Sequence, residues 1–235
     1  MKLTTSLSSA ATLLALVSTS SAVTVLSQNF DTDPVNYTGS PFAVQASDPA
    51  RYYAPTNFPS IAPNAGITGN STVYLAAQNM NNDGDGTLAY ETGAPAFMRF
   101  DVNATGYSDL RLSIDLAGMP TAETENFVRA LVDMDGDTFY ETTIFNFVGS
   151  NNSPYIDATL GALSGAFASF INIALPVPTA PDGFLHLRLE IFNDTNSQNE
   201  ASGVDNILVS GVFVPEPGSF LLAGLAGLGM LRRRR

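Results

Sequence analysis

The sequence predicts an all-β fold, an antiparallel β-sandwich, and three observations predict it. Apolar and polar residues alternate with a period of two along several segments. An Asp135-Gly136 pair separates two stretches rich in aromatic and β-branched residues, the pattern of a hairpin. Short candidate strands are parted by Gly, Pro and Asn, and no segment sustains a helical period. With 235 residues, 45% of them hydrophobic, the chain fits one such domain.

The elements follow in chain order. An opening strand ends at Asn29-Phe30-Asp31. Leu110, Leu112, Ile114 and Leu116 then alternate with Arg111, Ser113 and Asp115, a half-buried strand. Residues 127–133 and 139–147 are the arms of the hairpin, since a tight turn at Asp135-Gly136 needs positive φ at its centre. Residues 159–175 are ambiguous, because Gly161 and Gly165 weaken a helix there. Leu185, Leu187, Leu189 and Ile191 alternate with His186, Arg188 and Glu190, which sets the only histidine on a solvent-facing side. Residues 204–214 close the domain, and no internal repeat is present.

The two ends differ from this body. Lys2, an apolar stretch over 10–17 and Ser20-Ser21-Ala22 read as a signal peptide, residues 1–22. Signal peptidase is then a partner, and the sandwich domain occupies 23–213. The tail, 214–235, runs from Pro215-Glu216-Pro217 through an apolar segment, 220–231, to Arg232, Arg233, Arg234 and Arg235. As a helix those twelve apolar residues rise about 18 Å, against a bilayer core about 30 Å thick. Such a segment inserts marginally, and the arginines hold its end on the cytoplasmic side. The prolines set an extended, accessible stretch before it. The combination suits a transient retention signal; a simple C-terminal anchor is the alternative.

Charge narrows the partners. Apart from Lys2 and the tail arginines, the only cations are Arg51, Arg99, Arg111, Arg129 and Arg188. Twenty-two acids lie between Asp31 and Glu216, so the balance there is −17. Such a surface repels nucleic acid and anionic lipid and suits divalent cations or plain solubility. The absence of cysteine excludes a lipoprotein anchor and any disulfide framework.

The three parts of the tail, in this order, resemble the PEP-CTERM sorting signal of Gram-negative bacteria that make exopolysaccharide. That resemblance implies an exosortase-type membrane protease as partner, a transient inner-membrane anchor, removal of the tail, and release to the surface or the extracellular matrix. The opening Asn29-Phe30-Asp31 and the closing run Gly203-Val204-Asp205-Asn206-Ile207-Leu208-Val209 resemble jelly-roll sandwiches of carbohydrate-binding modules. In such folds the first and last strands lie side by side, and a structural calcium often sits near them.

Three groups of residues are candidate metal ligands. Asp133, Asp135 and Asp137 alternate, with Glu141 beyond, and calcium takes six to eight oxygen ligands of this kind. An ordinary acidic hairpin turn explains the same residues. Asn79, Asn81, Asp83 and Gly84 have EF-hand-like spacing, but Tyr90 stands at the twelfth position and Glu91 one beyond. Asp31, Glu200 and Asp205 form a third group if the terminal strands are neighbours. Tyr52, Tyr53 and Phe58, in a Pro-rich loop, are candidate glycan contacts, with Tyr107 and Tyr155 near other turns. No catalytic motif is found: Ser164 has the wrong spacing for a nucleophile elbow, and a carboxylate pair for glycoside hydrolysis stays open, since its separation in space is not visible in a sequence with 22 acids. The expected function is that of a structural or adhesive matrix protein and not an enzyme. The alternatives are a carbohydrate-binding module and, less favoured, a secreted glycoside hydrolase.

Overall fold

Fourteen strands form from these segments in the computed structural model, which describes residues 21–31, 37–44, 52–56, 66–69, 73–78, 80, 94–193 and 200–214. They build two antiparallel seven-stranded sheets. The first holds β1 (Ala22–Gln28), β3 (Ala43–Val44), β4 (Tyr52–Pro55), β5 (Leu75–Gln78), β7 (Tyr107–Gly118), β12 (Ala168–Ala174) and β14 (Ala201–Phe213). Its order is β12-β7-β14-β5-β4-β3, with β1 also on β14. The second holds β2 (Thr38–Gly39), β6 (Ala96–Asn103), β8 (Phe127–Asp133), β9 (Thr142–Val148), β10 (Ile156–Asp157), β11 (Gly161–Ala162) and β13 (Phe184–Phe192). Its order is β11-β10-β9-β8-β13-β6-β2. The expected sandwich is therefore present, with its first and last strands paired, Ala22 opposite Val212 and Gln28 opposite Ile207. The apolar segment 220–231 lies outside the described residues.

The period-two pattern places the core between the sheets. Leu110, Leu112, Ile114 and Leu116 of β7 face Met98, Phe100, Val128, Ala130, Phe147, Leu187 and Leu189 of the second sheet in one buried cluster. Phe147 of β9 meets Phe170 of β12 across the layers, ring centroids 5.3 Å apart. The ambiguous segment 159–175 is extended, as β11 and β12, because Phe170 and Ile173 pack inward against the core cluster while β12 pairs with β7.

A second cluster covers the outer face of the first sheet near the start of β14. Ala76, Ala117 and Ala201 leave room there for Tyr74 and Phe167, whose rings meet edge-on at 5.1 Å. Gly203 is required by the same packing, since a Cβ there would lie 2.8 Å from the Phe167 ring.

One polar residue ties the layers together. Asn193, fully buried just after β13, donates from Nδ2 to the Ala77 carbonyl of β5 (2.8 Å) and to Ser202 Oγ of β14 (3.1 Å). Its Oδ1 accepts from the buried Tyr155 hydroxyl (2.6 Å), and its carbonyl accepts from Met80 N (2.7 Å). Burial, then the charge of Glu200, push the Tyr155 phenol well above its ordinary pKa, so it remains a neutral donor. Replacing Asn193 by Ala strands several buried polar groups at once. Asn193→Ala is therefore expected to lower stability by about 3 kcal/mol and Tm by roughly 10 °C. Thermal unfolding checks this, and a Tm within two degrees or so of the parent would contradict the hub role.

Candidate functional site

The predicted hairpin forms between β8 and β9, but its connection is longer than the tight Asp-Gly turn expected. Residues 134–141 form an eight-residue loop in which Gly136 (φ 81°) and Thr138 (φ 73°) take the left-handed conformation. The reason is Asp133, whose buried carboxylate organises the loop from inside. Oδ1 accepts from the amides of Asp135 (3.1 Å) and Gly136 (2.7 Å), and Oδ2 accepts from Thr138 N (2.9 Å). Asp135 Oδ1 and Asp137 Oδ1 each accept from the amide two residues on, and Glu141 Oε2 accepts from Met134 N. These Asx-type bonds outcompete a two-residue turn.

The same folding brings the four acids together. One oxygen from each of Asp133, Asp135, Asp137 and Glu141 lies within 4.8 Å of the others, Asp133 buried and the rest exposed. Four hard oxygens at this spacing suit a divalent cation of the calcium type. The loop also closes through its own amides, so its shape does not require an ion.

Beside this loop, the outer face of the second sheet carries a ladder that alternation alone did not reveal. Arg188 of β13 lies over the Phe97 ring of β6 (4.2 Å to the centroid) and near the Tyr140 ring of the loop (5.2 Å). Its Nη2 donates to Glu190 Oε1 (2.7 Å), while Arg129 of β8 donates from Nε to Glu190 Oε2 (2.6 Å) and stacks on Phe127. Three of the five arginines of the body thus share one sheet face, the third being Arg99 of β6. Arg99 donates from Nε to Asp101 Oδ1 (2.8 Å) and contacts His186 Nδ1 at 3.0 Å.

His186 is not solvent-facing as expected but buried, as is Glu190. The outer face of β13 is covered because Asp133 pairs beside His186 and turns its loop back over the strand, and residues 179–180 bond to Met134 there. His186 Nδ1 lies 2.7 Å from Asp101 Oδ1, and the Phe184 ring stacks on the imidazole. The signal was present in the sequence, since Arg99 and Asp101, like His186, Arg188 and Glu190, are two apart and share a face.

Among the described residues, the other candidate metal ligands form no further cluster. Asp31, Glu200 and Asp205 do not converge: Asp31 Oδ1 accepts from Val73 N (2.8 Å), Glu200 Oε2 from Asn126 Nδ2 (2.5 Å), and Asp205 Oδ1 from Asn206 N (2.8 Å). Five residues of extended strand place Glu200 and Asp205 about 17 Å apart. Tyr53 is fully buried in the core beside Phe42, and Tyr155 belongs to the Asn193 hub, so neither offers a ring to a glycan. Tyr107 packs edge-on against Phe213. Tyr52 lies in β4, paired with Val44 and Gln78. Phe58, Asn79, the residues from Asn81 to Glu91, Arg51 and the tail from Pro215 to Arg235 lie outside the described residues. Among the described residues no helix is long and apolar enough to cross a membrane.

Residues 213–235 match the PEP-CTERM protein-sorting motif, and the match starts on Phe213, the last residue of β14. No curated protein matches the chain. Among solved structures, the K3 cleaved adhesin domain of Lys-gingipain from Porphyromonas gingivalis is similar at 10% identity and TM-score 0.46, over 81% of this chain and 99% of that one. The Stig cyclase Fisc from Fischerella sp. TAU is similar at 10% identity and TM-score 0.43, over 83% and 100%. The CBM22-1 xylan-binding domain of Xyn10C from Paenibacillus barcinonensis is similar at 9% identity and TM-score 0.39, over 84% and 100%.

The Arg99–Asp101–His186 contacts have a pH consequence. Burial pushes the Asp101 carboxyl up, but hydrogen bonds from His186 and Arg99 and the charge of Arg99 outweigh it, and the net direction is down. A carboxyl lowered in the folded state contributes stability above its unfolded pKa, about 3.9, and loses it as pH falls through the folded value. Asp101 is half exposed, so its share at neutral pH is well under 1 kcal/mol. Asp101→Asn is expected to lose less stability than the parent between about pH 4 and pH 2. Urea unfolding across that range checks it, and parallel curves would contradict the coupling.

Proposed function

We propose that the chain is an exported protein of a Gram-negative bacterium, sorted by an exosortase, whose mature sandwich is a structural or adhesive component of an exopolysaccharide matrix. The observation that carries this reading is the sorting motif at 213–235, joined without a spacer to the strand that closes the fold. The lysine-free, acidic body supports it. A surface of that charge repels an acidic polysaccharide, and a divalent cation held at Asp133, Asp135, Asp137 and Glu141 bridges the two. The role is binding and not turnover, in keeping with a sequence that carries no catalytic motif.

A second reading, carbohydrate recognition, is favoured by the ladder on the outer face of the second sheet. Arg99, Arg129 and Arg188 are partly exposed there and Asp101 is half exposed, and fixed guanidinium donors beside a carboxylate acceptor suit sugar hydroxyls.

One experiment separates these. The processed chain is sedimented with the host's purified exopolysaccharide in calcium and again in EDTA. The matrix reading predicts retention in calcium, loss on chelation, and weakened retention by the Asp135→Asn/Asp137→Asn double variant. Equal retention in EDTA that is lost in Arg188→Ala places the contact on the sheet face instead. Failure to sediment under either condition contradicts both.

A further inference from the structure

The end of the sandwich at which β14 finishes carries most of the exposed large hydrophobic side chains among the described residues. Among the described residues seven large hydrophobic side chains are exposed, and Val23, Phe139, Val177, Phe213 and Val214, at 41% to 69% exposure, are five of them. They come from four separate stretches of chain. Register shows that those stretches share one end. Val23 sits opposite Gly211 on the paired terminal strands, and Phe213 opposite Tyr107 at the start of β7. The β13 strand begins opposite the end of β6, Phe184 against Asn103, and β8 ends against His186.

A relay of backbone hydrogen bonds crosses this end from one sheet to the other. Val214 N donates to Gly106 O, Tyr107 N to Ala104 O, Ala104 N to Gly183 O, Gly183 N to Ala180 O, and Ala180 N to Met134 O. Phe139 belongs to the loop that starts at Met134, and Val177 to the β12–β13 connection that bonds to it.

Length and charge decide what meets this surface. Only residues 215–219 separate Val214 from the apolar segment that starts at Phe220, and that stretch spans at most about 20 Å. From the reading that residues 220–231 insert in the bilayer, we infer that this end of the sandwich rests on the bilayer surface while the tail is in place, with Phe139, Val177, Phe213, Val214 and Val23 at the lipid interface. A short tether keeps the patch at an effective concentration in the millimolar range near the lipid, so weak side-chain partitioning suffices to orient the domain. The lipid is zwitterionic in character, because Asp109, Asp135, Asp137, Glu141 and Asp182 are exposed at the same end and repel anionic headgroups. A handful of side chains does not anchor a domain alone, so loss of the tail frees it.

The chain contains no tryptophan, which makes a direct test possible. Single Trp variants of the full chain, Phe139→Trp, Ile156→Trp and Leu221→Trp, are reconstituted in phosphatidylcholine vesicles with and without brominated acyl chains. Ile156 is an exposed control at the opposite end, beside Val148 and the start of β8. The expected result is strong bromolipid quenching of L221W, quenching of F139W by at least a third with a blue-shifted emission, and none of I156W. Quenching of L221W without F139W overturns the inference and leaves the tail reading intact. Absence of quenching in L221W overturns the tail reading, and the inference with it. Equal quenching of F139W and I156W shows no preferred end and overturns the inference. A blue shift of F139W without quenching assigns the patch to a second copy, and that too overturns it.

Discussion

Everything in this fold is arranged around β14, and the constraint it obeys is that one edge must serve two partners. The strand takes β7 along one side for most of its length. On the other side it takes β5 against residues 201–204 and then β1 against residues 207–212. The handover falls at a register shift between Asp205 and Leu208, where Asn206 adopts a left-handed conformation (φ 48°) and its amide reaches Asp115 (2.8 Å). A bulge of that kind twists the strand and lets one edge serve both neighbours. Because β1 occupies the second position, the strand that begins at Ala22 and the residues that lead into the sorting motif are neighbours in the sheet.

That placement gives the domain a polarity that neither sheet has alone. One end holds Ala22, Val214, the acidic loop and, among the described residues, most of the exposed large hydrophobic side chains. Toward the other end, Asn193 closes the layers with amide bonds into β5 and β14 and a phenol bond from Tyr155. The polar groups of the second sheet's outer face are bound to one another, Arg188 and Arg129 to Glu190, and Arg99 and His186 to Asp101. The loop over them is held by the single buried carboxylate of Asp133.

How much of this was legible depended on whether the determinant was local. The alternation in β7 and the hairpin of β8 and β9 follow from patterns within segments, whereas the pairing of first and last strands was implied by the jelly-roll resemblance of the two ends. The four acids around Asp135-Gly136 were also legible as a group, because one short loop carries them. What alternation cannot show is a cover. It marks His186 and Glu190 as polar, yet the loop from Met134 and the segment through Ala180 bury them, and that packing is set by residues tens of positions away. Tyr53 misled in the same way, since a Pro-rich setting suggests a loop while β5 and Phe42 make it core. Asp31, Glu200 and Asp205 form no three-carboxylate cluster, since Glu200 precedes β14 and is held by Asn126. Asn193 gave no sign at all, as one asparagine among many carries its role only through the three elements it meets.

Under the proposed sorting, a sandwich completed by β14 is exported with a removable tail rooted on that strand. Intact-mass spectrometry of the chain recovered from outside the cell tests it most directly. Removal of both end segments predicts a species that begins at Val23 and ends within or just after Pro215-Glu216-Pro217, lacking the apolar segment and all four terminal arginines. Recovery of extracellular protein that still carries Arg235, or of full-length protein only inside the cell, would contradict it.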